Sequence, residues 1–142
     1  ASEVVCVDKD YDAAKNASRL HRKPNIKYFY DDIFNFKWPE NYFDVVVIRG
    51  AIEHFTQDQQ HKIFKKAYDL LKPGGYFCGD TPATRDGEDK MLSSHEYEWQ
   101  DEAQMKKELS FIFENTDTKT FISKEPIDGI TLRNTLLWAC KK

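Results

Sequence analysis

Residues 43–79 read FDVVVIRGAIEHFTQDQQHKIFKKAYDLLKPGGYFCG, and the apolar period changes twice along that stretch. Phe43 to Ile48 carries three consecutive valines and reads as a strand. Thr56 with Gln59 three residues later is a capping-box pattern, and Ile63, Phe64, Ala67, Leu70 and Leu71 then form one stripe at helical spacing. Lys72-Pro73-Gly74-Gly75 stops that helix, and Tyr76 to Gly79 follows at once as a buried strand. Strand, helix and strand in so short a space is the sign of a parallel α/β sheet.

The same alternation extends upstream. Glu3 to Val7 is a short β-branched run, the pattern of a strand buried on both faces, and it ends at Asp8. Asp10 can cap a helix with Ala13, Ala14, Ala17 and Leu20 on its inner face, stopped by Pro24 and Asn25. Ile26 to Tyr30 is a second strand, ending in Asp31-Asp32, and a loop through Trp38-Pro39 leads to Phe43. Downstream, Thr81 to Asp89 reads as a polar loop of the length that usually serves function. A helix is expected from about Asp101 to Asn115, burying Met105, Leu109, Ile112 and Phe113. Thr118 to Ser123 and Thr131 to Cys140 read as strands joined by the turn Pro126-Ile127-Asp128-Gly129, too short for a parallel crossover, so the sheet should close with an antiparallel hairpin.

Composition narrows the class. The chain has 142 residues, enough for one domain, and 40% of them are hydrophobic with ten Phe, seven Tyr and three Trp, which excludes a disordered chain. A net charge of −3 with interleaved signs offers no basic stripe, so nucleic acid is not the expected partner. Cys6, Cys78 and Cys140 lack CxxC spacing and read as reduced, buried thiols, with neither a disulfide framework nor a metal site expected. No apolar run approaches the roughly 20 residues that cross a bilayer, and no signal segment opens the chain, so a cytoplasmic protein is expected. The chain starts at Ala1, directly before a core strand, so an upstream segment is expected to precede it in the natural protein.

In doubly wound sheets ligands sit at the carboxyl ends of the strands, which here are Asp8, Asp31-Asp32, Arg49-Gly50 and Asp80. Asp8 has the position of an acid that accepts both ribose hydroxyls; it equally suits a cap on the following turn.

Val5 to Asp8, Phe29 to Ile33, Phe43 to Phe55 and Leu70 to Gly75 stand in the order and spacing of class I methyltransferases, and the chain resembles that S-adenosylmethionine-dependent family over nearly its whole length. The resemblance implies a Rossmann-like, mostly parallel sheet with a C-terminal antiparallel hairpin and with six of the usual seven strands. Nothing before Glu3 supplies the first strand and its Gly-x-Gly loop, which in the family's order lies between the strand ending at Asp8 and the strand ending at Ile48. The resemblance also implies roles. Asp8 would hold the ribose, Asp32 would accept from the adenine amino group, and Ile33 would meet the adenine ring, although Asp31 stands where members often have Gly. Arg49 and Gly50 would lie beside the methionine portion of S-adenosylmethionine. His54, in the Glu53-His54 pair, and His95, in His95-Glu96-Tyr97, would be the catalytic candidates, facing the donor methyl and lining the acceptor pocket.

Blander readings stand beside these. His54 also fits an ordinary helix-start histidine, and Tyr97 and Trp99 fit packing under the last helix, the preferred reading for Trp99. The expected activity is methyl transfer to an oxygen or nitrogen of a small polar acceptor. The alternatives are a non-catalytic module or inactive fragment of the same fold, favoured by the absent glycine loop, and a nicotinamide-dependent oxidoreductase, opposed by the LLKPGG segment and the closing hairpin. An absent central strand would leave two edges unpaired, so a homodimer covering them is expected.

Overall fold

A computed structural model describes residues 1–83, 92–123 and 133–142. These form two compact units, Ala1–Trp38 and Pro39–Lys142.

The first unit holds β1 (Val4–Asp8), α1 (Tyr11–Leu20) and β2 (Ile26–Tyr30). β1 and β2 run parallel, with Val4 opposite Ile26 and Asp8 opposite Tyr30. Asp10 caps α1 by accepting from the Ala13 N–H at 2.9 Å, as its position predicts. The inner face is narrower than the expected stripe: Ala14 is buried and Ala17 half-buried, while Ala13 is exposed and Leu20 is 63% exposed. A two-stranded ribbon is too narrow to cover a full helical face, and β1 itself is only half-buried, not buried on both faces.

The second unit holds β3 (Phe43–Arg49), a single 3₁₀ turn (Ile52–His54), α2 (Gln57–Leu70), β4 (Leu71–Pro82), α3 (Glu102–Leu109), β5 (Asn115–Ser123) and β6 (Arg133–Lys141). β3 and β4 are parallel, β4 and β6 antiparallel, and β6 and β5 antiparallel, in the order β3-β4-β6-β5. The α/β class and the closing hairpin are therefore as the sequence implies. The turn Pro126–Gly129 and the start at Thr131 lie outside the described residues. All six expected strands form, but they build two sheets instead of one. Among the described residues β1 pairs only with β2 and β3 only with β4. The break falls between the two strands that the family's missing strand would join. On β3, Val45 and Val47 are exposed, at 51% and 58%.

α2 starts with the full capping box, Thr56 and Gln59 bonding reciprocally to each other's backbone. Of the expected stripe, Ile63, Phe64, Ala67 and Leu70 lie on α2 and are buried, while Leu71, also buried, already opens β4. Phe64, Phe77, Trp99, Phe113 and Trp138 form one aromatic cluster, with Phe77 stacked on Phe113 at 5.6 Å and Trp99 edge-on to Trp138 at 5.9 Å. Trp99 is 1% exposed and lies in the core, as the packing reading holds. α3 ends at Leu109, short of the expected Asn115, because Asn115 already pairs with Lys141 and the chain must turn into β5. Gly79 is where β4 touches both neighbours: a Cβ there would overlap the Ile48 carbonyl and the Trp138 ring. Cys140 is buried, with its thiol pushed up to about 11, while Cys6 and Cys78 are half-buried rather than fully so.

Candidate functional site

The strand ends carry the polar groups, each in its own unit. In the first, Asp8 is exposed at the end of β1 and its Oδ1 accepts from the Asp10 N–H at 2.8 Å, the local cap that its position also allowed. Its main-chain carbonyl accepts from the Asp31 N–H at 3.1 Å, which brings the ends of β1 and β2 together. Asp32 is half-buried; its Oδ1 accepts from the Phe34 N–H at 2.7 Å and its carbonyl from Asn35 and Phe36, so this acid starts a tight turn. The Ile33 carbonyl accepts from the Trp38 indole at 3.2 Å. Asp31 takes up the Asp32 N–H at 2.7 Å, so its side chain is spent on the turn.

In the second unit, Arg49 and Gly50 close β3. The Arg49 Nε donates to Asp80 Oδ2 at 2.6 Å, and the Gly50 N–H donates to the Asp80 carbonyl at 3.0 Å. The hydrogen bond and charge of Asp80 hold the Arg49 guanidinium above its ordinary pKa. Gly50 has φ +51°, a left-handed conformation that glycine adopts without steric cost. A cavity of about 400 Å³ opens here, lined by Arg49, Gly50, Asp80, Thr81, Pro82 and Phe121 among others. Thr81 and Pro82 are the described start of the expected polar loop; Thr84 to Asp89 lie outside the described residues.

Directly after Gly50, the 3₁₀ turn carries Glu53 and His54. Glu53 is 3% exposed, and its Oε2 accepts from the Thr81 hydroxyl at 3.0 Å. Its main-chain carbonyl accepts from the N–H groups of Glu96 and Tyr97, which ties the His95 segment to the turn. His54 is exposed, with Nδ1 at 3.2 Å from the Ser94 carbonyl. His95 is 3% exposed, and its Nδ1 is hydrogen-bonded to the Glu98 carboxylate. The two imidazoles meet edge to face, centroids 5.0 Å apart. Both catalytic candidates are thus brought together, although 40 residues lie between them in the chain.

What holds this corner is a group that no motif pointed to. Glu108 of α3 is 6% exposed and accepts from Gln57, Tyr97, Trp99 and His61, at 3.0, 2.9, 3.0 and 3.2 Å. Burial, and then the bond to Glu108, push the Tyr97 hydroxyl up to about 12. The Gln60 amide adds bonds to the carbonyls of Ile52, Phe55 and Tyr97. A signal for Glu108 was present, since it sits beside Leu109 and three residues after Met105, inside the apolar face expected of that helix. Glu98, three residues after His95, lies in an irregular segment where no helical spacing pointed to the pair.

A methyltransferase domain family model matches residues 1–75, from β1 through the PGG segment. Phosphoethanolamine N-methyltransferase of Plasmodium falciparum is 42% identical over 45 residues, an alignment covering 32% of this chain and 17% of that enzyme. Among solved structures, Haemonchus contortus phosphoethanolamine N-methyltransferase 2, in complex with phosphomonomethylethanolamine and S-adenosylhomocysteine, superposes with TM-score 0.73 at 15% identity, covering 99% of this chain and 43% of that one. The N-methyltransferase NodS of Bradyrhizobium japonicum gives TM-score 0.70 at 18% identity, over 99% of this chain and 73% of that one. At these identities the structural likeness is one of fold. No helix among the described residues is long and apolar enough to cross a membrane.

Proposed function

We propose, from the premise that the chain belongs to the methyltransferase domain family, that it takes part in moving a methyl group from S-adenosylmethionine to an oxygen or nitrogen of a small polar acceptor. The observation that carries this reading is that the family match, residues 1–75, spans three strands, each closed by polar groups suited to the cofactor. The donor set fits it in chemistry: an exposed carboxylate for a diol at Asp8, a second acid and a backbone turn at Asp32-Ile33, and a left-handed glycine beside a cavity at Gly50. When bound, the cofactor would supply a sulfonium-activated methyl group.

The chain's own residues then divide the work. By the family resemblance, Asp8 would accept from the ribose hydroxyls, Asp32 from the adenine amino group, and Ile33 would meet the adenine ring. Arg49 and Gly50 would lie beside the methionine part, with Asp80 fixing the direction of the guanidinium. His54 and His95 serve the acceptor. With Nδ1 of each turned to an oxygen, Nε2 is the basic atom that meets the acceptor's polar group. Transfer of this kind gains chiefly from proximity and alignment, so few groups need take part in the chemistry itself.

The acceptors named for the relatives are small amines, and a phosphorylated amino alcohol is the first to try. A second copy of the chain, covering the open edges of β1 and β3, and a reducing cytoplasmic setting consistent with three free cysteines complete the reading. The test is transfer of labelled methyl from S-adenosylmethionine to a panel of small amines and alcohols, with binding of S-adenosylhomocysteine and of NAD measured alongside. Transfer, or selective binding of S-adenosylhomocysteine, supports the reading. Neither transfer nor binding would favour a non-catalytic module of the same fold, and preference for NAD would favour an oxidoreductase.

A further inference from the structure

We infer that Glu53, His54 and His95 form a binding site for a divalent transition-metal cation. One ligand atom from each lies within 4.8 Å of the other two. The three come from two segments fastened to each other, since the Glu53 carbonyl accepts from the N–H groups of Glu96 and Tyr97.

The protonation pattern favours a cation. The Ser94 carbonyl, 3.2 Å from His54 Nδ1, can only accept, so neutral His54 carries its proton on Nδ1 and keeps a lone pair on Nε2. The Glu98 carboxylate fixes His95 the same way. A histidine whose Nδ1–H is bonded to a carboxylate or carbonyl, with the other nitrogen left free, is the usual arrangement behind a metal ligand. Glu53 adds the charge. Its carboxylate is 3% exposed, Thr81 bonds to one oxygen, and no ion pair reaches it among the described residues. A buried carboxylate with one neutral donor is costly unless a cation is near.

Two imidazoles and one carboxylate suit borderline cations such as Zn²⁺ or Fe²⁺, and more weakly Mn²⁺, rather than Mg²⁺ and Ca²⁺, which prefer all-oxygen ligation. Ligands on such an ion stand about 3.3 Å apart, from metal–ligand distances of roughly 2.0–2.1 Å. Binding therefore draws the three atoms inward, and exposed His54 is the one free to move. Three protein ligands leave a position open, as catalytic metal sites do. Resting on the methyl-transfer reading, that position takes the acceptor's hydroxyl or amine. The acceptor proton leaves to water, the new bond to the methyl carbon replaces the donor's S–C bond, and Nε2 of His54 and of His95, taken up by the cation, no longer acts on the acceptor as a base.

The test is titration of the metal-stripped chain with Mn²⁺, counting free ion by electron paramagnetic resonance, with S-adenosylhomocysteine binding measured on the same samples. Mn²⁺ avoids the thiols of Cys6, Cys78 and Cys140, for which Zn²⁺ would compete. Saturation near one ion per chain is expected, weakened at least about tenfold in Glu53→Gln, His95→Gln and, through orientation alone, Glu98→Gln. His21→Gln, outside the cluster, should bind as the parent does. If Glu53→Gln fails to fold by circular dichroism, His54→Gln on the exposed turn answers the same question. No saturable binding at millimolar Mn²⁺, or binding unchanged in the cluster variants, overturns the inference. Cofactor binding without metal binding sinks the metal site alone; metal binding without cofactor binding leaves the site standing and removes its role in transfer.

Discussion

Replacing Glu108 with Leu should destabilise the second unit by about 2–4 kcal/mol, and the sum follows from what the carboxylate holds. Of its four donors, the Trp99 indole N–H belongs to a side chain 1% exposed, and water cannot reach it once the acceptor is gone. An orphaned buried donor costs about 1–3 kcal/mol. The Tyr97 hydroxyl is half-buried and keeps the Gln104 amide at 2.8 Å as a donor to it, so its loss is smaller, about 1 kcal/mol. Gln57 is exposed and His61 is 39% exposed in its side chain, so both regain water and add little. With a urea slope of about 2 kcal/mol/M, the unfolding midpoint should fall by about 1–2 M. Adding Trp99→Phe to Glu108→Leu removes the orphaned N–H and should recover about 1 kcal/mol. A midpoint unmoved by Glu108→Leu, or a double variant no better than the single one, would refute the assignment of Glu108 as the anchor of the His95 segment.

Gly79→Ala should lose about 1–3 kcal/mol in the same urea assay, because the new methyl meets backbone and a rigid indole ring that cannot both yield; a neutral result would mean that β3, β4 and Trp138 are not so close. Tyr97 is an acid whose folded pKa, about 12, lies above its ordinary 10.0, so the folded state favours the neutral hydroxyl. Its contribution to stability is full below pH 10 and disappears as pH rises to about 12, and Tyr97→Phe should flatten that part of a stability-versus-pH curve. Light scattering at high micromolar concentration should give the mass of a dimer, returned to monomer by Val45→Lys, which puts a charge on the exposed edge strand; a monomeric parent chain rejects the pairing.

Local chemistry carried most of the fold into the sequence. The Thr56–Gln59 box, the stripe from Ile63 to Leu70 and the valines of β3 are short-range patterns, and the structure realises each of them. The open edges of β1 and β3 were legible as well, because the strand that would pair with both is not among these residues, and among the described residues β1 pairs only with β2 and β3 only with β4. The end of α3 was harder to read: Ile112 and Phe113 continue the apolar period of the helix, but the ladder from Asn115 to Lys141 competes for the chain and wins. At the site, His54 and His95 were legible from residue type, whereas the Thr81–Glu53 bond and the Gln57–Glu108 bond join residues 28 and 51 positions apart in the chain.

The most direct measurement of the central claim is a ligand-observed NMR titration of this chain with S-adenosylhomocysteine, using NAD for comparison. No segment of the 142 residues offers a Gly-x-Gly loop after a first strand, so the account predicts binding weaker than micromolar. Such binding should nonetheless be saturable, preferred over NAD, and reduced further in Asp8→Ala by the equivalent of about 1–3 kcal/mol. Preference for NAD, or S-adenosylhomocysteine binding indifferent to Asp8→Ala and Asp32→Ala alike, would contradict it.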